Sequence, residues 1–467
     1  MSESTQSPDS VQPTSASRIV GGTEYSWCKA IPGGTGTTVL GLLLTKSPDI
    51  SVLKINLHKL QNAHPILLSK LRYSAAANNF SFVTPSTSSL EIDTYGLDFT
   101  SRIFESSTAP SRFHAIVEHE MNKMTWRSAG PEWGEEDDGD DVMFASCYDV
   151  EEGKWAVVLR LHTAACDRAA AAALLRGLVE MLGEKEGEVG RRGEVGLTVE
   201  EYVPAAKAHK PFWARGIDML GYSLNSFRLS NLDFHDANSP RSSQVIRLQL
   251  NAHDTDQILK ACKSREIKLS GVLAAAGVIA ARSSKELPDG QWEKYSVTTL
   301  IDCRPFLDPP LPDNHIGFYH SAIINTHDIK GGEDLWDLAK RTFSSFESAK
   351  TSNKHFTDMG DLNFLMLRAL ENPGLTPSGS LRTCLISVFE DTIVEQSNEM
   401  CQELGLEDML GCASIHGIGP SIGIFHKVQD GELDCACVYP SPLFLREHMN
   451  KVVDDMKRVL VEGCMLE

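Results

Sequence analysis

Both halves of this chain use the same grammar, an alternating apolar strand followed by helices rich in small residues, and that repetition limits the fold more than any other feature of the sequence. In the first half, KWAVVLRLHT alternates Trp155, Val157, Leu159 and Leu161 against Ala156, Val158, Arg160 and His162, and AACDRAAAAALLRGLVEML follows at once. Upstream, GTGTTVLGLLL (34–44) is a turn-rich lead into an apolar run. Leu53, Leu57 and Leu60, then Leu67, Leu68 and Leu71, recur at helical spacing and are broken by Pro65. Residues 111–126 form a second amphipathic stretch. In the second half, QVIRLQL (244–250) precedes a helix read as capped by Asp254, and Ser270 opens the helix GVLAAAGVIAAR. YSVTTLIDCR then runs into the loop PFLDPPLPDNHIGFY and the strand HSAIINTH. Helices at 334–350 and 361–370 precede strands at LRTCLISVF, PSIGIF and ELDCACVY, and REHMNKVVDDMKRVL closes the chain as an amphipathic helix. The pattern predicts a disordered tail (1–18), an N-terminal lobe (19–202), a crossover (203–243) and a C-terminal lobe (244–467), both lobes of mixed α/β type.

A length of 467 residues is about three times the ~150-residue domain prior, which one large two-lobed unit satisfies as well as three domains. A hydrophobic fraction of 42% excludes a disordered chain. Forty-four basic against sixty-three acidic residues give a net charge of −19, which argues against bulk affinity for nucleic acid or anionic membranes. Positive charge is concentrated near the middle, where residues 203–270 hold ten Lys/Arg against six Asp/Glu. Eleven cysteines show no metal-ligand spacing and leave at least one unpaired, so a reduced compartment and no metal are expected; Cys435 and Cys437 read as small core residues. The polar N-terminus carries Glu3 and Asp9 instead of a basic region and an apolar core, and no apolar run reaches the ~20 residues of a membrane span. The expectation is a cytoplasmic monomer. PEWGEEDDGDD (131–141) reads as a solvated acidic loop, GEKEGEVGRRGEVG (183–196) as a flexible excursion, and GGTGTT (33–38) lacks the Lys-Ser/Thr of a phosphate loop.

Two strings carry a resemblance. HTAACDR between a strand and a helix, and DCRPFLDPPLPDNHIG before a strand, resemble the superfamily of CoA-dependent acyltransferases, which includes plant BAHD enzymes, alcohol acetyltransferases and peptide-synthetase condensation domains. The likeness spans nearly all of 20–465, with NAHPILLSKLR resembling the first core helix and AIVEHEMNKMTW a stretch of condensation-type members. It implies an α/β, two-lobed, chloramphenicol-acetyltransferase-like fold with a mixed sheet in each lobe and an active-site tunnel between them. In such a fold a thioester donor and an acceptor come in from opposite mouths. A histidine base and an aspartate that holds an arginine are spaced HxxxD.

Here the spacing reads differently. Four residues before Asp167 stands Thr163, preceded by His162, and Arg168 follows where the family has glycine. A threonine hydroxyl is too weakly basic to take a proton near neutrality. If Thr163 faces the tunnel, strand alternation sets His162 toward the core, whereas a one-residue bulge would turn it inward. Both Thr163 and His162 are therefore candidates for the catalytic position, with alternation favouring a structural His162. Asp167 is expected to pair with Arg304 through a bidentate contact, as a structural motif. Gly317, Phe318, His416, Gly417 and Gly419 are candidate tunnel-lining residues, His416 also having the reading of an ordinary loop histidine.

The implied function is acyl transfer from a CoA or pantetheine thioester to a small acceptor, with an amine favoured because it needs less help from a base. Acyl-CoA is expected as co-substrate, without a bound cofactor, and the basic crossover is a candidate patch for its phosphates. The alternatives are a non-catalytic homologue that binds a small metabolite and a tunnel recruited to a lyase or cyclase reaction.

Overall fold

The computed structural model describes residues 16–134, 137–183, 195–211, 216, 229–285, 287–376, 379–397 and 399–465. Three sheets organise them. The largest is a mixed sheet in the order His320–Ile329, Glu293–Asp302, Arg382–Phe389, Gly419–Gln429, Glu432–Ser441 and Ser242–Leu250, with Ile393–Glu395 beside Gly419–Gln429. A five-stranded sheet runs in the order Leu406–Ile415, Thr35–Leu44, Lys154–His162, Met143–Glu151 and Ile92–Tyr95. A small sheet joins Ala16–Ile19, Asn79–Thr84, Lys70–Ser74 and Asp140–Asp141. The protein is thus a two-lobed α/β fold with a mixed sheet in each lobe.

Helix Leu269–Ser283 shows why the sequence builds the second lobe around small residues. It is apolar on almost every face, which requires burial on every face. Alanines and glycines let it sit against the large sheet while Leu335–Thr351 and Arg446–Met465 pack on it. A Cβ at Gly277 would overlap the Ile386 side chain. In the first lobe, Leu53, Leu57 and Leu60 of the helix Ile50–Ala63 are buried, and Asp49 caps that helix by accepting from Ser51 N and Val52 N. An apolar seam joins the lobes, with Val39, Ile116 and Val158 from one side meeting Val245, Ala436 and Val438 from the other.

Several expectations need correction. Ala16–Ile19 is a strand paired with Asn79–Thr84, so 16–18 do not belong to the tail expected over 1–18; residues 1–15 lie outside the described residues. The helix after Ser242–Leu250 is capped by Asn251, which accepts from Asp254 N, so Asp254 stands three residues inside the cap. The acidic loop is partly ordered by Arg127, which lies over the Trp133 ring and pairs with Asp137 and Asp140. Residues 184–194 and most of the aromatic crossover, 212–215 and 217–228, lie outside the described residues.

The largest departure concerns the lobe boundary. Leu406–Ile415, deep in the second half, pairs antiparallel with Thr35–Leu44 and so belongs to the first lobe's sheet. After three intervening residues, 416–418, the chain has returned, and Gly419 opens a strand of the large sheet. Arg382 holds this crossing. Its Nε donates to Ser380 O (3.2 Å), Nη1 to Ile415 O (2.9 Å) and Pro420 O (2.5 Å), and Nη2 to His416 O (3.4 Å) and Gly417 O. Burial, then the nearby Arg241, pulls its guanidinium down to about 9. On the other side of the crossing, Gly34 has φ +96°, and a Cβ there would overlap the His416 ring.

Arg382→Ala removes the donors of five carbonyls, each of which costs about 1–3 kcal/mol when buried and unmet. The expected result is a loss of at least ~3 kcal/mol in a urea unfolding series, with faster amide exchange at 415–420 than elsewhere in the large sheet.

Candidate active site

The strand Lys154–His162 ends in a single 3₁₀ turn, Thr163–Ala165, and the helix Arg168–Gly183 starts three residues later. That turn decides the fate of the HxxxD-like segment. His162 caps it, its Nδ1 accepting from Ala164 N (3.2 Å), which places the ring proton on Nε2. The ring meets Trp126 edge to face at 5.3 Å and is fully buried, and burial pushes its pKa down to about 3. His162 contributes nothing to the cavity described below. Thr163 does, and its Oγ1 lies 2.7 Å from Thr38 Oγ1 on the neighbouring strand. Two neutral hydroxyls bonded to one another offer no base.

Asp167 is the joint of the two motifs. Its Oδ1 accepts from Arg304 Nη2 (3.1 Å) and Ala170 N (2.9 Å), and its Oδ2 from Tyr319 N (2.7 Å). Asp167 N donates to Gly317 O (3.1 Å). Arg304 is entirely buried and is shared between two carboxylates, Nη2 on Asp167 and Nη1 on Asp302 (2.9 Å), with His315 O taking Nε (3.1 Å). The contact differs from the fork-to-fork pair expected, because Asp302, two residues upstream, claims the second arm. Burial alone would raise the Asp167 carboxyl, but Arg304 and then His320 outweigh it and hold it well below the usual carboxylate range.

A cavity of about 840 Å³ lies between the lobes. Thr38, Thr163, Asp167 and Arg168 reach it from the first lobe, and Phe318, His320, Phe389 and Gly419 from the second. The crossing strand Leu406–Ile415 lines it as well. Of the expected lining residues, Phe318 and Gly419 are in the wall, whereas Gly317, His416 and Gly417 are outside it. His416 instead packs over Gly34, with Nδ1 3.1 Å from Ser243 Oγ, and burial lowers its pKa to about 4. Arg168, in the family's glycine position, bridges the lobes: it donates to Asp391 O (2.9 Å) and His426 O and lies over the Phe389 ring at 4.4 Å.

Sequence reasoning missed His320. Its Nδ1 is 3.0 Å from Asp167 Oδ2, and the ring is 5% exposed between Phe318 and Phe389. The signal was present in the period of the strand, since Phe318, His320, Ala322 and Ile324 all line the cavity at alternate positions. Three of the cations expected in a basic patch are held in ion pairs: Lys210 with Asp358 and Asp361, Arg247 with Asp408 and Asp434, and Lys268 with Glu390 and Asp391; Arg215 and Arg228 lie outside the described residues.

The fold has counterparts among known proteins. The family described as phthiocerol/phthiodiolone dimycocerosyl transferase C-terminus matches residues 239–349. A trichothecene 15-O-acetyltransferase from Fusarium sporotrichioides superposes with a TM-score of 0.69 at 11% identity, over 96% of this chain and 95% of that one. The chain shares the two-lobed fold of this acetyltransferase. Polyketide synthase associated protein 5 from Mycobacterium tuberculosis gives a TM-score of 0.63 at 16% identity, over 95% of this chain and 98% of that one. The epimerization domain from the third module of tyrocidine synthetase B gives 0.62 at 12%, over 98% and 99%. No curated protein matches the sequence. Among the described residues, no helix is long and apolar enough to cross a membrane.

Asp167→Ala strands Arg304 as a buried charge with only Asp302 and carbonyls for company, and should cost ~3–5 kcal/mol at pH 7. Because the folded Asp167 pKa lies below its unfolded value of about 3.9, the stability it contributes is complete above about pH 4 and is lost as pH falls through the folded value. The gap between wild type and Asp167→Ala in denaturant midpoint should therefore hold from pH 7 to about 5 and narrow below about 4.

Proposed function

We propose that this protein transfers an acyl group from a CoA or pantetheine thioester to a small acceptor bound between its lobes. The observation that carries this reading is the cavity, into which the ends of both motif-bearing segments deliver side chains. Its lining is mostly apolar with a few convergent polar groups, as a small-molecule site requires, and its volume of about 840 Å³ is that of a substrate pocket. The fold shared with a trichothecene 15-O-acetyltransferase supports the same reaction class.

Position 163 carries no base, so the acceptor that suits the Thr38–Thr163 wall best is a neutral amine, whose lone pair attacks without prior deprotonation. Positioning of donor and acceptor is a separate contribution to rate and survives the loss of that base. CoA phosphates have to be met away from Lys210 and Arg247, whose charges are taken up internally. We place the protein in the cytoplasm as a monomer, with acyl-CoA as substrate and without a resident cofactor.

The experiment is titration of the full chain with acetyl-CoA, longer acyl-CoAs and acyl-pantetheine, followed by thiol release in the presence of amine and alcohol acceptors. Saturable thioester binding and acceptor-dependent thiol release are expected. Binding of a thioester or acceptor without release identifies a metabolite-binding protein instead, and neither binding nor release overturns the reading.

A further inference from the structure

The cavity lacks a base at position 163 yet holds one imidazole in contact with the HxxxD-like aspartate. His320 is the first residue of the strand His320–Ile329, supplied by the opposite lobe from Thr163. Two consecutive residues address the same carboxylate oxygen: Tyr319 N donates to Asp167 Oδ2 at 2.7 Å, and His320 Nδ1 lies 3.0 Å from it. The backbone bond fixes the strand against Asp167, so the position of the imidazole follows from main-chain geometry. The ring N–H is not in line with Oδ2, and Nδ1 has no other partner among the described residues. Such off-line contacts are common in unliganded sites and tighten when substrate binds. Nε2 is not among the occluded nitrogens, and His320 lines the cavity, so the edge away from Asp167 faces the substrate space.

The other titratable side chains in the wall are engaged. His426 is fully buried, with Nε2 on Thr392 Oγ1 (3.1 Å) and Nδ1 occluded. Asp434 pairs with Arg247 and Lys427, and Glu395 with Arg176. A carboxylate on one ring nitrogen selects the tautomer that leaves the other nitrogen as an acceptor, and it stabilises the imidazolium that forms when a proton arrives.

We propose that His320 is the general base of this cavity, oriented by Asp167, and that it replaces the base missing at position 163. This rests on the acyl-transfer reading. As the acceptor's oxygen or nitrogen bonds to the thioester carbonyl carbon, its proton moves to the Nε2 lone pair. The tetrahedral intermediate collapses, the C–S bond breaks, and the proton passes from Nε2 to the leaving sulfur, so that the products are acylated acceptor and free thiol and His320 is neutral again. No further reactant is consumed. Asp167 is a positioning residue in this scheme, and a base contributed by the second lobe extends the acceptor range to alcohols.

The test compares wild type with His320→Asn, which keeps an amide donor for Asp167 but has no basic nitrogen. With the acceptor that wild type uses best, kcat should fall by about 10²–10⁴-fold while acetyl-CoA affinity is unchanged. An unchanged kcat overturns the proposal and leaves the acyl-transfer reading standing. A wild type that neither binds thioesters nor releases thiol overturns that reading and the base role with it. If His320→Asn does not fold, long-range ¹H–¹⁵N correlation of the wild-type histidines decides: Nδ1–H with a bare Nε2 at His320 supports the proposal, and the opposite tautomer overturns it.

Discussion

The Asp167 carboxylate is the point on which the two lobes turn. It accepts from Ala170 N at the start of its own helix, from Tyr319 N across the interface and from the buried Arg304, while its own N–H is bonded to Gly317 O. A charge so deeply buried persists only if its partners are all in place. The partners come from the helix after the turn (Ala170), from Arg304 and from the approach to the next strand (Gly317 and Tyr319), so assembling the node brings the HxxxD-like turn, the DxR segment and the strand after the proline-rich loop together. The cavity, the Thr163 wall and the His320 ring inherit their positions from it.

A second constraint is the exchange of one strand. Leu406–Ile415 completes the first lobe's sheet, and the return at 416–418 is pinned by a guanidinium that serves five carbonyls. A cation without a carboxylate is an unusual thing to bury, but the crossing turns several backbone oxygens inward at one place, and few other side chains have enough donors to meet them. Because that strand also lines the cavity, the exchange shapes the site as well as the interface.

His162, Thr163 and His320 show how local geometry sorts similar residues into different roles. His162 is lost to chemistry because its Nδ1 caps the turn and its other face meets Trp126. Thr163 occupies the cavity-facing position with a group that cannot take a proton. His320 touches the aspartate from the far side, a contact that only the folded interface creates.

The sequence by itself determined the strand and helix periods and the small-residue helix Leu269–Ser283, because alternation and periodicity are local properties; the pairing of Asp167 with Arg304, 137 residues apart, was expected only from the resemblance, and the choice between Thr163 and His162 was left open until the turn placed Thr163 in the cavity wall. Alternation from Phe318 would also have placed His320 on the cavity face, though nothing local says that Asp167 stands beside it. What only the tertiary structure decided was long-range. LEDMLGCASI has a weak alternating pattern and no marker of its destination, so its membership of the first sheet could not be read from the second half. Of the cations at 203–270 that looked like a patch in sequence, Lys210 and Arg247 became internal ion pairs in space, since their acidic partners lie far along the chain. Spacing reports which face of an element a side chain occupies, and only the packing of distant segments reports what meets it there.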